Sequence, residues 1–406
     1  MKSFSKIISV ILAAMLLCSF PAAVFAEENE STDLQEVEQL LEALEETTIS
    51  KARFEELLTE AGKNTEDTIP YYSDTVAMVI NGEEVSPAKL TYCLANQFQS
   101  FVNTYGQYAA YFGLDYSNGV SGLAEQSCAM LENGTWLDFF LQQAVDSLQQ
   151  SSALRHIAAE ENITIPEEDI AEIRESFEEF DGIVQEYGYT DGNEFVAINY
   201  GLGNTVDSVL DYLEEFSLAA LVYDTYEQQF KDAVTAEDIL EQYPDPTIAV
   251  RHILVMAEQD ENGEWTEEAK EAAKAKAEQI LQEWSAGEAT EESFADLAEK
   301  YSEDPGSSSN GGLYSHVSQG QMVEEFNAFC FDENRQPGDT GVVYGSNGGY
   351  AGYHVMYFVG TEKPEENEEA RSAIAMERIG TWLAEQIDGM EVTVLPYYKI
   401  AGHTLY

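Results

Sequence analysis

Positive charge is what this sequence lacks most. Lysine and arginine total 19 against 76 aspartates and glutamates, a net charge of −57. A field of that sign repels phosphate, which excludes nucleic acid and anionic lipid as natural partners and favours basic polypeptides. Cysteine is also scarce, with four in the chain, and Cys18 falls in the leading apolar segment. The other three, Cys93, Cys128 and Cys330, are odd in number and widely spaced, so they define no disulfide framework. Two readings stay open for Cys93 and Cys128: a pair between packed helices, or buried thiols acting as small hydrophobes. The five histidines are scattered and none has zinc-binding spacing with cysteine, so a metal site is not expected. No nucleophile elbow or matched triad is visible, which leaves a hydrolase without a candidate. Internal repeats are absent, and no apolar run after the first segment is long enough to span a bilayer.

What is present begins with a leader. Lys2 and Lys6 precede an apolar run from Ile7 to Phe20, Pro21 breaks it, and Val24-Phe25-Ala26 follows. This is the pattern of a secretory signal peptide over residues 1–26, cleaved after Ala26. A lipoprotein reading at Cys18 fails because Met15, Leu16 and Leu17 put bulk where small residues are required. The product is expected to be exported and extracytoplasmic. Cleavage removes two lysines and no acid, so the balance becomes more acidic still.

Residues 27–70 are acid-rich with one amphipathic stretch, "LQEVEQLLEALEE", and read as a flexible leader with a marginal helix. Order is expected to begin at "DTVAMVINGEEVS", where Val76, Met78 and Ile80 alternate before an Asn81-Gly82 turn. A helix capped by Ser86 with Pro87 in its first turn should then run through Phe112, with Phe98, Phe101, Tyr105 and Tyr108 at helical spacings. Further amphipathic segments make 71–243 a helical domain, closed by the linker "PDPT". From 248 the texture changes. The strand "IAVRHILVM" is followed by two helices, a Gly/Ser-rich stretch, a short helix and two strands, ending near residue 362. Residues 363–406 form a last helix and tail, expected to pack on the helical domain.

Residues 248–362 resemble the parvulin family of peptidyl-prolyl cis/trans isomerases. Four pieces carry the resemblance in order: "RHILV", "FADLAEKYSEDPGSSSNGGLYS", "GQMVEEFNAFCF" and "GYHVMYFV". With the flanking helical block and terminal helix, the chain resembles exported foldases of the PrsA and SurA type. The implied fold is α+β: a helical chaperone-like domain into which a β-α-α-β-α-β-β domain is inserted. The resemblance implies binding of unfolded or secreted, proline-containing clients and isomerisation of X-Pro bonds. It assigns His252, His354 and Asp304 to a hydrogen-bonded active site. Met322, Phe326 and Phe331 would grip proline, with Tyr314 lining the same pocket.

Such a reaction makes no bond, so it needs no nucleophile, metal or cofactor. The barrier is the loss of amide resonance, about 18–20 kcal/mol, and the catalyst must bind the twisted amide better than the planar one. The resemblance departs at Tyr314, where a Leu is expected, at Ser315 for Gly, and at Val317 for an aromatic. These changes are expected to reshape the pocket, and they support the rival reading of a non-catalytic holdase with a degenerate domain. The loop "GSNGGYAG" before His354 reads as longer than the family's short turn. Where phosphate-directed relatives carry basic residues, this chain has "AEQDENGEWTEE", which argues against phosphoserine-proline. His316 matches no motif and reads as a solvent-facing strand residue. The oligomeric state is left open between monomer and homodimer.

Overall fold

The computed structural model describes residues 34–44, 48–49, 51–63, 69–117, 119–132 and 134–402. The expected signal peptide and Cys18 lie outside the described residues. The chain divides into two units, one running to Gln228 and resuming at Ile379, the other comprising Gln229–Arg378.

The first unit is mostly helical. Its small sheet starts with β1 (Met78–Ile80) and β2 (Glu83–Val85), joined by Asn81 and Gly82, both at positive φ. That is the geometry a two-residue hairpin turn requires, and it is why Asn-Gly occupies it. The third strand comes from the far end of the chain: β7 (Val392–Val394) pairs antiparallel with β1. Ser86 caps helix Pro87–Tyr105 by accepting the Lys89 N–H, and Thr135 with Asp138 forms a reciprocal capping box on helix Trp136–Glu161. These two helices bury Phe98, Trp136 and Phe140 in one aromatic core, with Trp136 and Phe140 stacked at 5.7 Å. The α-helix expected to reach Phe112 ends at Tyr105. Residues 106–112 tighten into a 3₁₀ turn that returns Phe112 onto Phe101 at 6.1 Å. Cys93 and Cys128 share the core but remain unpaired thiols, so the buried-thiol alternative is the one observed.

The stretch read as a flexible leader differs from that reading. Leu34–Glu42 and Lys51–Glu60 are helices, and Val37, Leu41, Phe54, Leu57 and Leu58 are buried. Their partners are Tyr71, Tyr397 and Ile400, and Lys399 donates to the carbonyls of Leu41 and Leu44. The local sequence looks too acidic to fold because part of the apolar surface it needs, Tyr397 and Ile400, lies near the far end of the chain.

The second unit is built on a four-stranded antiparallel sheet. In chain order its elements are β3 (Thr247–Met256), helices Glu267–Ala286 and Glu291–Tyr301, β4 (Leu313–Val317), helix Glu324–Cys330, β5 (Thr340–Asn347) and β6 (Tyr350–Glu362). This is the expected β-α-α-β-α-β-β order, and the strands lie β4-β3-β6-β5. One face, with Ile253, Val255 and Val355, is covered by the two longer helices through Ala273, Ala277, Ile280 and Phe294. The other face, with Val250, Met356 and Phe358, meets the short helix through Phe326, Phe329 and Cys330. Residues 345–352 are no long loop: Gly345 to Asn347 pair with Gly352 to Tyr350, and Gly348-Gly349 makes a two-residue turn. Gly345 and Gly352, which look like loop material, are strand residues placed for close packing. The unit also extends past both edges of the segment 248–362, because Val234 and Ile239 pack with Ala370, Ile374 and Ala375 in a cluster of their own.

Candidate active site

β3 and β6 pair over ten residues, and the register sets His252 opposite Met356 and His354 opposite Leu254. Residues two apart on a strand share a face, so both imidazoles emerge on the side covered by the short helix. They are buried, and their rings stack at 5.1 Å with the two Nδ1 atoms 2.9 Å apart. His252 Nε2 lies 2.9 Å from Asp304 Oδ2 and 3.0 Å from Ser307 Oγ. The Ser307 and Tyr314 hydroxyls donate to the same carboxylate oxygen, at 2.5 and 3.0 Å. At the other end, the Tyr350 hydroxyl is 3.0 Å from His354 Nε2.

The hydrogen bond from His252 holds the Asp304 carboxyl well below the usual carboxylate range, reinforced by Ser307 and Tyr314. Burial pushes His354 down to about 3, with His252 adding to the effect, so that ring is neutral at physiological pH. With Asp304 ionised, His252 Nε2–H donates to its carboxylate, one proton bridges the two Nδ1 atoms, and the Tyr350 hydroxyl bonds His354 Nε2.

The loop carrying Asp304 and Ser307 is held from below. Arg251 donates to the carbonyls of Asn310 and Gly311, and its Nε pairs with Glu291 at 2.9 Å. The His252 N–H donates to Gly312 O. Gly312 has φ +73°, and a Cβ there would fall 2.2 Å from His252 O, so only glycine permits this approach. A second constraint falls on Gly345, where a Cβ would sit 2.6 Å from His354 Nε2.

The apolar wall lies directly against the histidines. Phe326 is buried and meets both imidazoles edge-on, each at 5.4 Å. Met322, Phe331 and Tyr314 are half-buried members of the same cluster. The structure therefore brings together all seven residues singled out in the sequence: His252, Asp304, His354, Tyr314, Met322, Phe326 and Phe331. Of the three departures only Tyr314 enters the site, with its ring 5.3 Å from His252. Ser315 is exposed and Val317 is buried in the core under the sheet. His316 is only partly exposed; it lies at φ +53°, and its N–H donates to Glu362 rather than facing open solvent.

Sequence reasoning missed Ser307 and Tyr350. Ser307 is one of three consecutive serines, and nothing local distinguishes it. Tyr350 had a usable signal, since it stands four residues before His354 and shares its face once both are in one strand.

Residues 224–357 match the family model for the PPIC-type PPIase domain, a stretch that contains every residue of this site. The chain carries a parvulin-type domain, and its relatives are foldases and chaperones by name. It is 24% identical over 252 residues to the foldase protein PrsA of Halalkalibacterium halodurans, covering 60% of this chain and 66% of that one. To foldase protein PrsA 4 of Bacillus cereus it is 32% identical over 158 residues, covering 38% and 47%. Chaperone SurA of Pseudomonas fluorescens is 31% identical over 156 residues, covering 36% and 33%. The match thus spans from a third to just under two thirds of these relatives' length. Among solved structures, the foldase protein PrsA of Streptococcus pneumoniae is similar at 13% identity and a TM-score of 0.33, covering 65% of this chain and 90% of that one.

Proposed function

We propose that this chain is an exported foldase that binds unfolded polypeptides and isomerises X-Pro peptide bonds at the His252–His354 site. One observation carries the catalytic part: a buried, fully hydrogen-bonded polar chain from Tyr350 to Asp304 lies edge-on to the apolar wall of Phe326. The names of the PrsA and SurA relatives support the foldase role, and the basic and apolar leader supports export. No helix among the described residues is long and apolar enough to cross a membrane.

The planar amide is stabilised by charge separation between its oxygen and nitrogen, and the twisted amide loses it. A site that grips the proline ring on Met322, Phe326 and Phe331 removes water from the amide and disfavours the planar form relative to the twisted one. The histidines transfer no proton in this scheme. They are positioning residues that hold Asp304 ionised and its partners in place, giving the carbonyl a fixed polar environment while it turns. Tyr314 adds a hydroxyl to that environment where an aliphatic side chain would add none.

The test is a protease-coupled assay on a short proline peptide with the chain lacking residues 1–26. A rate above background that falls at least tenfold in Met322→Ala supports the proposal. A chain that suppresses aggregation but never exceeds the uncatalysed rate is a holdase, and the isomerase reading fails.

A further inference from the structure

The helical unit carries an aromatic surface that its own core does not use. Where helix Pro87–Tyr105 ends, the chain turns outward, and Tyr105, Tyr108, Tyr111 and Tyr116 are 47%, 56%, 89% and 41% exposed. Three of them are tied to neighbouring residues. Phe112 contacts the rings of Tyr105 and Tyr111 at 6.5 and 5.9 Å, and a side chain at Gly106 would lie 3.5 Å from the Tyr116 hydroxyl. An exposed group of large rings is unusual on a soluble surface and marks a place of contact.

The charge around it is one-sided. From residue 90 to residue 154 the sequence contains no lysine, arginine or histidine, while Asp115, Glu125 and Glu132 are exposed beside the tyrosines in sequence. Gln126 bonds both the N–H and the carbonyl of Asp115, which brings the segment of Glu125 to that of Asp115 and Tyr116. A second copy of this chain is a poor occupant, because two bodies of charge −57 repel.

We propose that this tyrosine surface docks basic segments of unfolded polypeptides, with lysine or arginine side chains seated on the ring faces. Cation–π attraction holds the contact, and the surrounding carboxylates supply the long-range pull. The proposal rests on the foldase reading for its class of partner and assigns client capture to the first unit.

The test uses the chain lacking residues 1–26 and two labelled, unstructured peptides of equal apolar content, one with lysine and arginine, the other with glutamate at the same positions. Fluorescence anisotropy should show the basic peptide bound at least tenfold more tightly, with affinity falling as salt rises. Tyr108→Ser with Tyr111→Ser should weaken the basic peptide about fivefold or more. Tyr108→Phe with Tyr111→Phe should bind within twofold of the parent. All should keep the circular dichroism melt and the isomerisation rate of a short proline peptide. Equal binding of the two peptides, or an unchanged affinity in the double serine variant, overturns the proposal. So does sedimentation showing that the tyrosines join two copies. Loss of isomerase activity with charge- and tyrosine-dependent binding intact would instead refute only the catalytic half of the proposed function.

Discussion

The imidazoles of His252 and His354 meet through a single contact of 2.9 Å between their Nδ1 atoms, and burial disfavours a charge on His354. This makes the site a source of acid sensitivity, and the sign follows from the shifts. His354 titrates at about 3 in the folded chain against 6.5 when free. Between those values the unfolded chain binds a proton that the folded chain refuses. Its contribution is fully present above pH 6.5 and is lost as pH falls toward 3, at a limiting slope of about 1.4 kcal/mol per pH unit. Asp304, also depressed, adds stability present above the ordinary carboxylate value and lost below it. The melting temperature of the second unit should therefore fall between pH 7 and pH 5, and His354→Gln should flatten that fall; parallel curves would contradict the assignment. Tyr350→Phe removes one hydrogen bond and should lower kcat/KM about threefold to tenfold. Gly345→Ala drives a methyl into the His354 ring and should cost more than Tyr350→Phe.

The short helix Glu324–Cys330 separates two roles that the sequence pattern merges. Met322 precedes it and is half-buried, whereas Phe326 lies inside it and is 2% exposed. Phe326→Ala should destabilise the unit by about 3–5 kcal/mol as well as reduce turnover. Met322→Ala should reduce turnover with a shift in melting temperature of only a degree or two, which makes it the cleaner probe of the pocket. A large loss of stability in Met322→Ala would place it in the core instead. The order of elements around this helix was legible because the first strand is rich in β-branched residues and each helix starts on a Ser, Thr or acid signal. The Met322–Phe326 spacing was legible too, although spacing alone does not distinguish a pocket wall from a core face. The 345–352 hairpin was not, because Gly345 and Gly352 serve packing against His354 and Val255 rather than flexibility. Nor was the 3₁₀ turn at 106–112, where the aromatic spacing continues unbroken while the backbone changes its period.

At the scale of the whole molecule, the first unit is assembled from both ends of the chain. β7 completes the sheet on β1, and Tyr397 and Ile400 fill the core that holds Leu34–Glu42 and Lys51–Glu60. Local sequence gives no sign of this, because the N-terminal half of that core is too acidic and the C-terminal half too short to be read as folded alone. Truncation after Asp388 would remove β7 and three large buried side chains, Tyr397, Tyr398 and Ile400. At about 1.5–3 kcal/mol each, the loss is on the order of 5–9 kcal/mol, comparable to the whole stability of a typical domain. The truncated chain should lose the cooperative melt of its helical unit and become open to proteolysis between residues 34 and 63. The second unit keeps its own cores on both sheet faces, so isomerisation of a short proline peptide should persist while capture of unfolded chains fails. A truncated chain that melts with the parent would show that the terminal segment only decorates the unit. Joint loss of melting and isomerisation would show that the histidine site depends on the helical unit for its stability.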